Sequence, residues 1–382
     1  EVRFTYISDP DNNGQEDTNT ADLIVYGKLF AEGSATEPIL FTSNEDPALK
    51  GDWGGIRFSS DEGTSTIYHA TIEMAKDGVW TSSNCNIELI DCEIRKNSDY
   101  GLYLRRLSNA SVIDCTISDN NQGIANQGNM TIFNSKVSSC GTGIESNGHL
   151  EIYDSNIEEN NWDGIRFGAL ISSKQKVHGC RISNNGDFGI RGDGFEVFST
   201  IFIHNGSFAV VSSDCKIEGC SFTQSTYGIS VASVLLVNNT FEGQLSGTYN
   251  FVDSGVYITG DGLISHNTIS GFSTGIYVST SSDLVIDNNL INGNSRGIYF
   301  ASSDVPNLTC SNNNIYDNLD WNVYNNTNQR VAITDSFWGT NDESIINSKI
   351  FDYYEDTSKG PVSFTGFKSS LVEGATSART IA

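Results

Sequence analysis

One phrase is written again and again along this 382-residue chain. It reads apolar, two residues, small, one residue, apolar, then a polar turn that closes on Gly-Ile or a near variant. "VIDCTISDNNQGI", "IFNSKVSSCGTGI" and "IYDSNIEENNWDGI" are three successive copies. Stacked on the small residue, the copies align Ala70, Cys92, Cys115, Ser135, Ser155, Cys180, Thr200, Cys220, Asn239, Asn267, Asn288, Asn313 and Ser336, with steps of 19 to 28 residues. Three positions earlier and two positions later every copy is apolar, from Ile67 and Ile72 to Ile333 and Trp338. A third apolar column follows the glycine, from Val79 and Leu102 to Ile298 and Val323. Only 37% of the chain is apolar, so three unbroken columns are not chance.

Each copy thus offers three short strands with one apolar face apiece. A strand so short cannot bury that face alone, and stacking copies at ~4.8 Å per rung buries it continuously. The unit is too long and irregular for a hexapeptide left-handed coil. The expected fold is all-β: a right-handed parallel β-helix of about 13–15 coils with three parallel sheets. The small column sits at a tight inward bend, where stacked Asn amides can hydrogen-bond along the column.

Composition narrows the function classes. Glycine is abundant at 37, proline scarce at 5 and methionine almost absent at 2. A net charge of −25 and a pI near 4.3 oppose nucleic acid as a partner, which needs Lys/Arg clusters, and favour divalent cations. No apolar run is long enough to span a membrane. The chain opens on Glu1 without a visible leader, and a secreted or cell-surface address is expected to have preceded it. The eight cysteines contain no CxxC pair. Cys92 and Cys115 fall on neighbouring coils, within reach of a bridge; Cys180 and Cys220 do not. Buried thiols are expected throughout.

Four segments follow: residues 1–22 as an acidic N-terminal cap, 23–338 as the β-helix, 339–367 as a closing segment that leaves the repeat, and 368–382 as a linker or tail. Insertions near 167–176 and 242–254 read as surface loops.

The "NNxxGI" turns, "GDWGGIRF" and the closing "SFWGT" resemble the repeats of pectin-lyase-like right-handed parallel β-helix proteins. The resemblance covers nearly the whole chain and implies the fold. It implies no single activity, because the family holds lyases, hydrolases, epimerases, tailspikes and adhesins. The Asn-Thr-Asp, Asp-Asp and Arg-Ile-Lys signatures of polygalacturonases are absent, and His178-Gly179 stands alone. The Arg-x-Pro-x-x-Arg of pectate lyases and the Asp-Pro-His-Asp of mannuronan epimerases are also absent.

Alternation places the residue after each Gly-Ile on the outer face of the first sheet. There Glu145, Arg166 and Arg191 occupy consecutive rungs. Two arginines can neutralise a uronate while a nearby group takes its α-proton, with Tyr103 as a distant candidate base; the same three side chains also read as a surface ion-pair ladder. Tyr257, Tyr277, Tyr299 and Tyr324 form an outward aromatic strip, which reads either as a platform for sugar rings or as cross-strand packing. Phe188, Phe208 and Tyr227 form a parallel wall, and Trp162 stands exposed beside Arg166. In "DPDNNGQED", Asp9, Asp11, Asn13, Gln15 and Asp17 have the spacing of a calcium loop, although Thr20 replaces the bidentate Glu. Three functions follow: a polysaccharide-binding surface protein without catalysis, a lyase or related enzyme on an acidic glycan, or a structural adhesin or assembly subunit capable of self-association.

Overall fold

The computed structural model describes residues 2–4, 21–59, 63–168, 175–225, 227–245, 253–301 and 307–375. It divides into two compact units, Glu1–Ile190 and Arg191–Ala382. Each is a parallel β-helix. In the first unit, one coil runs through Tyr100–Leu104, Asn109–Ile113 and Thr116–Ser118, and the next through Gln122–Asn126, Asn129–Phe133 and Lys136–Ser138. The three strands of one coil pair in parallel with their counterparts on the next. We call these the first, second and third ladders, in chain order within a coil. In the second unit, Val210–Glu218 and Ile229–Val237 run unbroken through the bend between the first and second ladders, joining the two into one sheet.

The core is the three apolar columns. On the third ladder Ile117 faces Val137 and Val137 faces Ile157, all fully buried. On the first ladder Leu102, Ile124, Ile144 and Ile165 are likewise fully buried. The glycine before each of these is a close-approach residue: a Cβ on Gly143 would stand 2.6 Å from the Gly164 carbonyl oxygen. In the second unit Phe202, Phe222 and Phe241 stack face to face at 4.8 and 4.4 Å.

The bend before the third ladder corrects one alignment. The residue immediately preceding the small column adopts the left-handed region in copy after copy: His69, Asp91, Asp114, Asn134, Asp154, Asn238, His266, Asn312 and Asp335 have φ between 45° and 57°. Asn288, at φ 52°, belongs to this set. The stacked residue of that coil is therefore Asn289, flanked by the buried Ile286 and Ile291. A corner that turns within one residue needs this conformation, and Asn and Asp tolerate it best among residues with a Cβ. "LVIDNNLIN" keeps an apolar residue at the required spacing in either frame, so pattern alone chose the wrong asparagine.

The corrected column is a hydrogen-bonded ladder. Asn239 Nδ2 donates to Asn267 Oδ1 at 2.9 Å, Asn267 Nδ2 to Asn289 Oδ1 at 3.0 Å, and Asn289 Nδ2 to Asn313 Oδ1 at 3.0 Å. A second buried ladder lies five residues further on, at the bend after the third strand. Asn97 donates to Asn120 and Asn160 to Asn185, each at 2.9 Å, in the first unit. In the second unit Asn294 donates to Asn318 at 3.2 Å.

All eight cysteines are free and buried, Cys92 and Cys115 included. Cys115 Sγ accepts from the Cys92 amide at 3.4 Å. Burial pushes the thiols of Cys180, Cys215 and Cys310 up to about 12.

Segment 339–367 contains a short helix, Glu343–Asn347, and two further rungs. Ile350–Phe351 pairs in parallel with Val323 and Tyr324, and Val362–Thr365 pairs with Val331–Thr334. Beyond it, Val372 and Asn314 exchange two hydrogen bonds of 2.8 and 3.2 Å. No helix among the described residues is long and apolar enough to cross a membrane.

Candidate functional site

Regular stacking turns one outward position per coil into a continuous surface row. On the first unit's first ladder the register runs Ile24, Arg57, Trp80, Tyr103, Ala125, Glu145, Arg166. Glu145 and Arg166 are thus neighbours, as the spacing implies. Glu145 Oε2 accepts from Gln122 Nε2 at 3.2 Å, and Arg166 is exposed. Tyr103 lies two rungs from Glu145, ~10 Å along the ladder. Its ring stacks on Tyr100 at 5.0 Å and its hydroxyl accepts from Gln127 at 2.9 Å. Tyr103 is therefore not brought to the Glu145–Arg166 pair. Trp162 is 61% exposed, in the turn that leads into Arg166. Phe188 is half-buried in this unit. Arg191 opens the second unit, at the end of the strand Ile190–Arg191.

The same row holds a cluster that sequence reasoning missed. Arg57 Nε lies 3.0 Å from Asp22 Oδ2, and its Nη2 lies 3.8 Å from Asp77 Oδ2. Arg57 and Arg105 both pack over the Trp80 ring, at 5.4 and 5.5 Å. Burial raises the Asp22 and Asp77 carboxyls above the ordinary aspartate value, against the pull of Arg57. Only the "GGIRF" strand hinted at Arg57; its partners come from other coils.

In the second unit the outward row is Val211, Ser230, Tyr257, Tyr277, Tyr299, Tyr324 and Phe351. The rings contact one another in sequence, with centroids 5.4, 4.8, 5.1 and 4.1 Å apart from Tyr257 to Phe351. From Tyr277 onward successive planes lie within 36° of each other. Their flat faces are largely used on neighbours, so the strip presents ring edges and hydroxyls. Arg296 sits over Tyr299 and Tyr324 at 5.2 and 4.6 Å, and Trp321 packs edge-on against Tyr324 and Phe351. Phe351, Arg296 and Trp321 were not in the sequence-derived set. Phe208 and Tyr227 pack at 5.6 Å, with Phe208 nearly buried.

Asp9, Asp11, Asn13, Gln15 and Asp17 lie outside the described residues. Among the described residues no group of three or more His, Cys, Asp or Glu side chains is placed to hold a metal ion.

Each unit is thus a stack of parallel coils with an outward row of aromatic and cationic side chains on its first ladder. The family model for the right-handed β-helix region matches residues 6–129, 124–241 and 198–337, and the chain belongs to that family. No curated protein matches the sequence. Among solved structures, the chain is similar to tailspike protein 3 of bacteriophage CBA120, at 15% identity and a TM-score of 0.40, covering 83% of this chain and 57% of that one. It is similar to a mannuronic acid specific family 6 polysaccharide lyase from human gut microbiota, at 9% identity and a TM-score of 0.41, covering 90% and 83% of the two chains. It is also similar to the A-module of an Azotobacter vinelandii mannuronan C-5 epimerase, at 14% identity and a TM-score of 0.34, covering 83% and 91%.

Proposed function

We propose that this is an extracellular or cell-surface protein that binds an acidic polysaccharide along the outward first-ladder row of each unit, without catalysis. One observation carries the reading: the repeat forces outward a row of half-exposed aromatic rings, and the first-ladder strands carry Arg57, Arg166, Arg191 and Arg296. The chain as a whole carries −25. Guanidinium groups set among aromatic rings on such a protein suit a polymer that brings its own negative charge, through bidentate hydrogen bonds to carboxylate or sulfate. The tyrosine edges add hydroxyls at the rung spacing, ~4.8 Å, which suits repeated hydrogen bonding to a sugar chain. Trp162, with its ring exposed, offers a face for the apolar side of a sugar.

A second reading is favoured by the Glu145–Arg166 pair: a lyase-type site in which arginine neutralises a uronate. Against it, the outward row contains no His or Lys to act as base, and Tyr103 is two rungs away. The third reading, a structural or adhesive subunit, requires no ligand.

Affinity electrophoresis through gels containing polygalacturonate, alginate or a neutral glucan tests the proposal, paired with an ultraviolet assay for unsaturated uronate ends. Retardation by an acidic polymer, lost in Tyr299→Ala and in Arg296→Ala, is expected without new double bonds. Double bonds that vanish in Arg166→Ala would establish the lyase. No retardation in any gel would leave the structural reading.

A further inference from the structure

A different face of the first unit carries a second site. The second-ladder strands Asn86–Ile90, Asn109–Ile113, Asn129–Phe133 and His149–Tyr153 project three outward columns. The first is an amide ladder at the surface: Asn109 Nδ2 donates to Asn86 Oδ1 at 2.7 Å, and Asn129 Nδ2 to Asn109 Oδ1 at 3.0 Å. The middle column reads Glu88, Ser111, Thr131, Glu151. The third reads Ile90, Ile113, Phe133, Tyr153.

The middle column dips where it is shortest. Ser111 and Thr131 floor an open trough of about 240 Å³, flanked by the Asn86, Asn109 and Asn129 amides, with Glu88 and His149 in its lining. The apolar column, in which Phe133 is 45% exposed, lies outside the trough's lining. Glu151, one rung past Thr131, is already engaged: Tyr153 donates to it at 2.9 Å, and Lys176 and His149 lie at 3.3 and 3.5 Å.

We propose that this trough binds a neutral sugar residue. Hydroxyl floor, amide wall, carboxylate and imidazole supply the alternating donors and acceptors that a polyol needs. The ionisable side chains in the lining are Glu88 and His149, with no Lys or Arg to pair with a carboxylate, so the trough favours uncharged rings over the uronates that the first ladder favours. The two faces therefore sort glycans by charge, and the trough stands or falls independently of the first-ladder proposal.

Calorimetric titration of the bacterially produced full chain with cellohexaose, mannohexaose and chitohexaose tests this. At least one neutral hexamer is expected to bind, undiminished by saturating polygalacturonate. Ser111→Tyr, which fills the floor from the surface without touching the core, should weaken that binding at least tenfold, as should Glu88→Ala. Tyr299→Ala should leave it unchanged. The proposal is overturned if none of the three hexamers binds, or if their binding survives Ser111→Tyr or disappears in Tyr299→Ala. Loss of polygalacturonate binding alone would instead count against the first-ladder reading.

Discussion

Asn267→Ala tests the buried amide ladder. Asn267 is completely buried, and its Oδ1 accepts from both the backbone N–H and the side-chain Nδ2 of Asn239, at 3.0 and 2.9 Å. Its own Nδ2 donates to the Leu236 and Ser265 carbonyls and to Asn289 Oδ1, all within 3.0 Å. Alanine leaves two donors on the fully buried Asn239 without an acceptor. Each stranded donor costs about 1–3 kcal/mol, so the loss is about 2–6 kcal/mol. That is a large share of the ~5–15 kcal/mol that holds an ordinary domain together. Because a solenoid is stabilised rung by rung, the damage should appear first locally. Hydrogen exchange at the Asn239 amide should accelerate before global urea unfolding shifts. Asn109→Ala is the control: its ladder is exposed, water replaces the lost bonds, and the change should stay within about 0.5 kcal/mol. The reasoning fails if Asn267→Ala is as mild as Asn109→Ala and the Asn239 amide keeps its protection.

Two further perturbations probe packing and charge. Phe222→Ala removes the middle ring of the Phe202–Phe222–Phe241 stack, fully buried on both sides, and should cost about 3–5 kcal/mol in denaturant unfolding; less than 1 kcal/mol would mean the coils collapse to fill the gap. Asp77 is raised by burial, against Arg57, so its protonated form is the one the fold favours. Its contribution is full below the ordinary value of ~3.9 and is lost as pH rises through the folded-state value. The stability of the native chain relative to Asp77→Asn should therefore fall as pH rises through that window, and a difference that grows with pH would contradict the burial argument.

Most of the fold was legible because the repeat encodes it three times per coil. Leu102, Ile117 and Val112 could each be placed inside from spacing alone, and all are fully buried. The outward row was legible for the same reason, since alternation fixes Tyr277 once Ile276 is known to be inside. Register was lost only at Asn288 and Asn289, where both frames satisfied the apolar rule and backbone conformation decided. The second asparagine ladder was readable in principle: an Asn recurs five residues after the small column, at Asn120, Asn160, Asn185, Asn294 and Asn318. Arg57 with Asp22 and Asp77, and Phe351 with Tyr324, were not readable, because irregular segments join their rungs and no constant spacing links them. The trough beside Ser111 escaped for another reason: it is defined by small side chains between larger ones on adjacent coils.

In this fold consecutive repeats are consecutive rungs in the stated register. Paired cysteines test this directly in a Cys92→Ser, Cys115→Ser background, which removes the native thiols on neighbouring rungs; the remaining native thiols are buried. In-register neighbours on parallel strands lie ~4.8 Å apart, within disulfide reach, whereas residues two rungs apart lie ~9.6 Å apart, beyond it. Under mild oxidation, Tyr277→Cys with Tyr299→Cys should form a disulfide seen by mass spectrometry, and Tyr277→Cys with Tyr324→Cys should not. Crosslinking of the second pair, or failure of the first, would contradict the account.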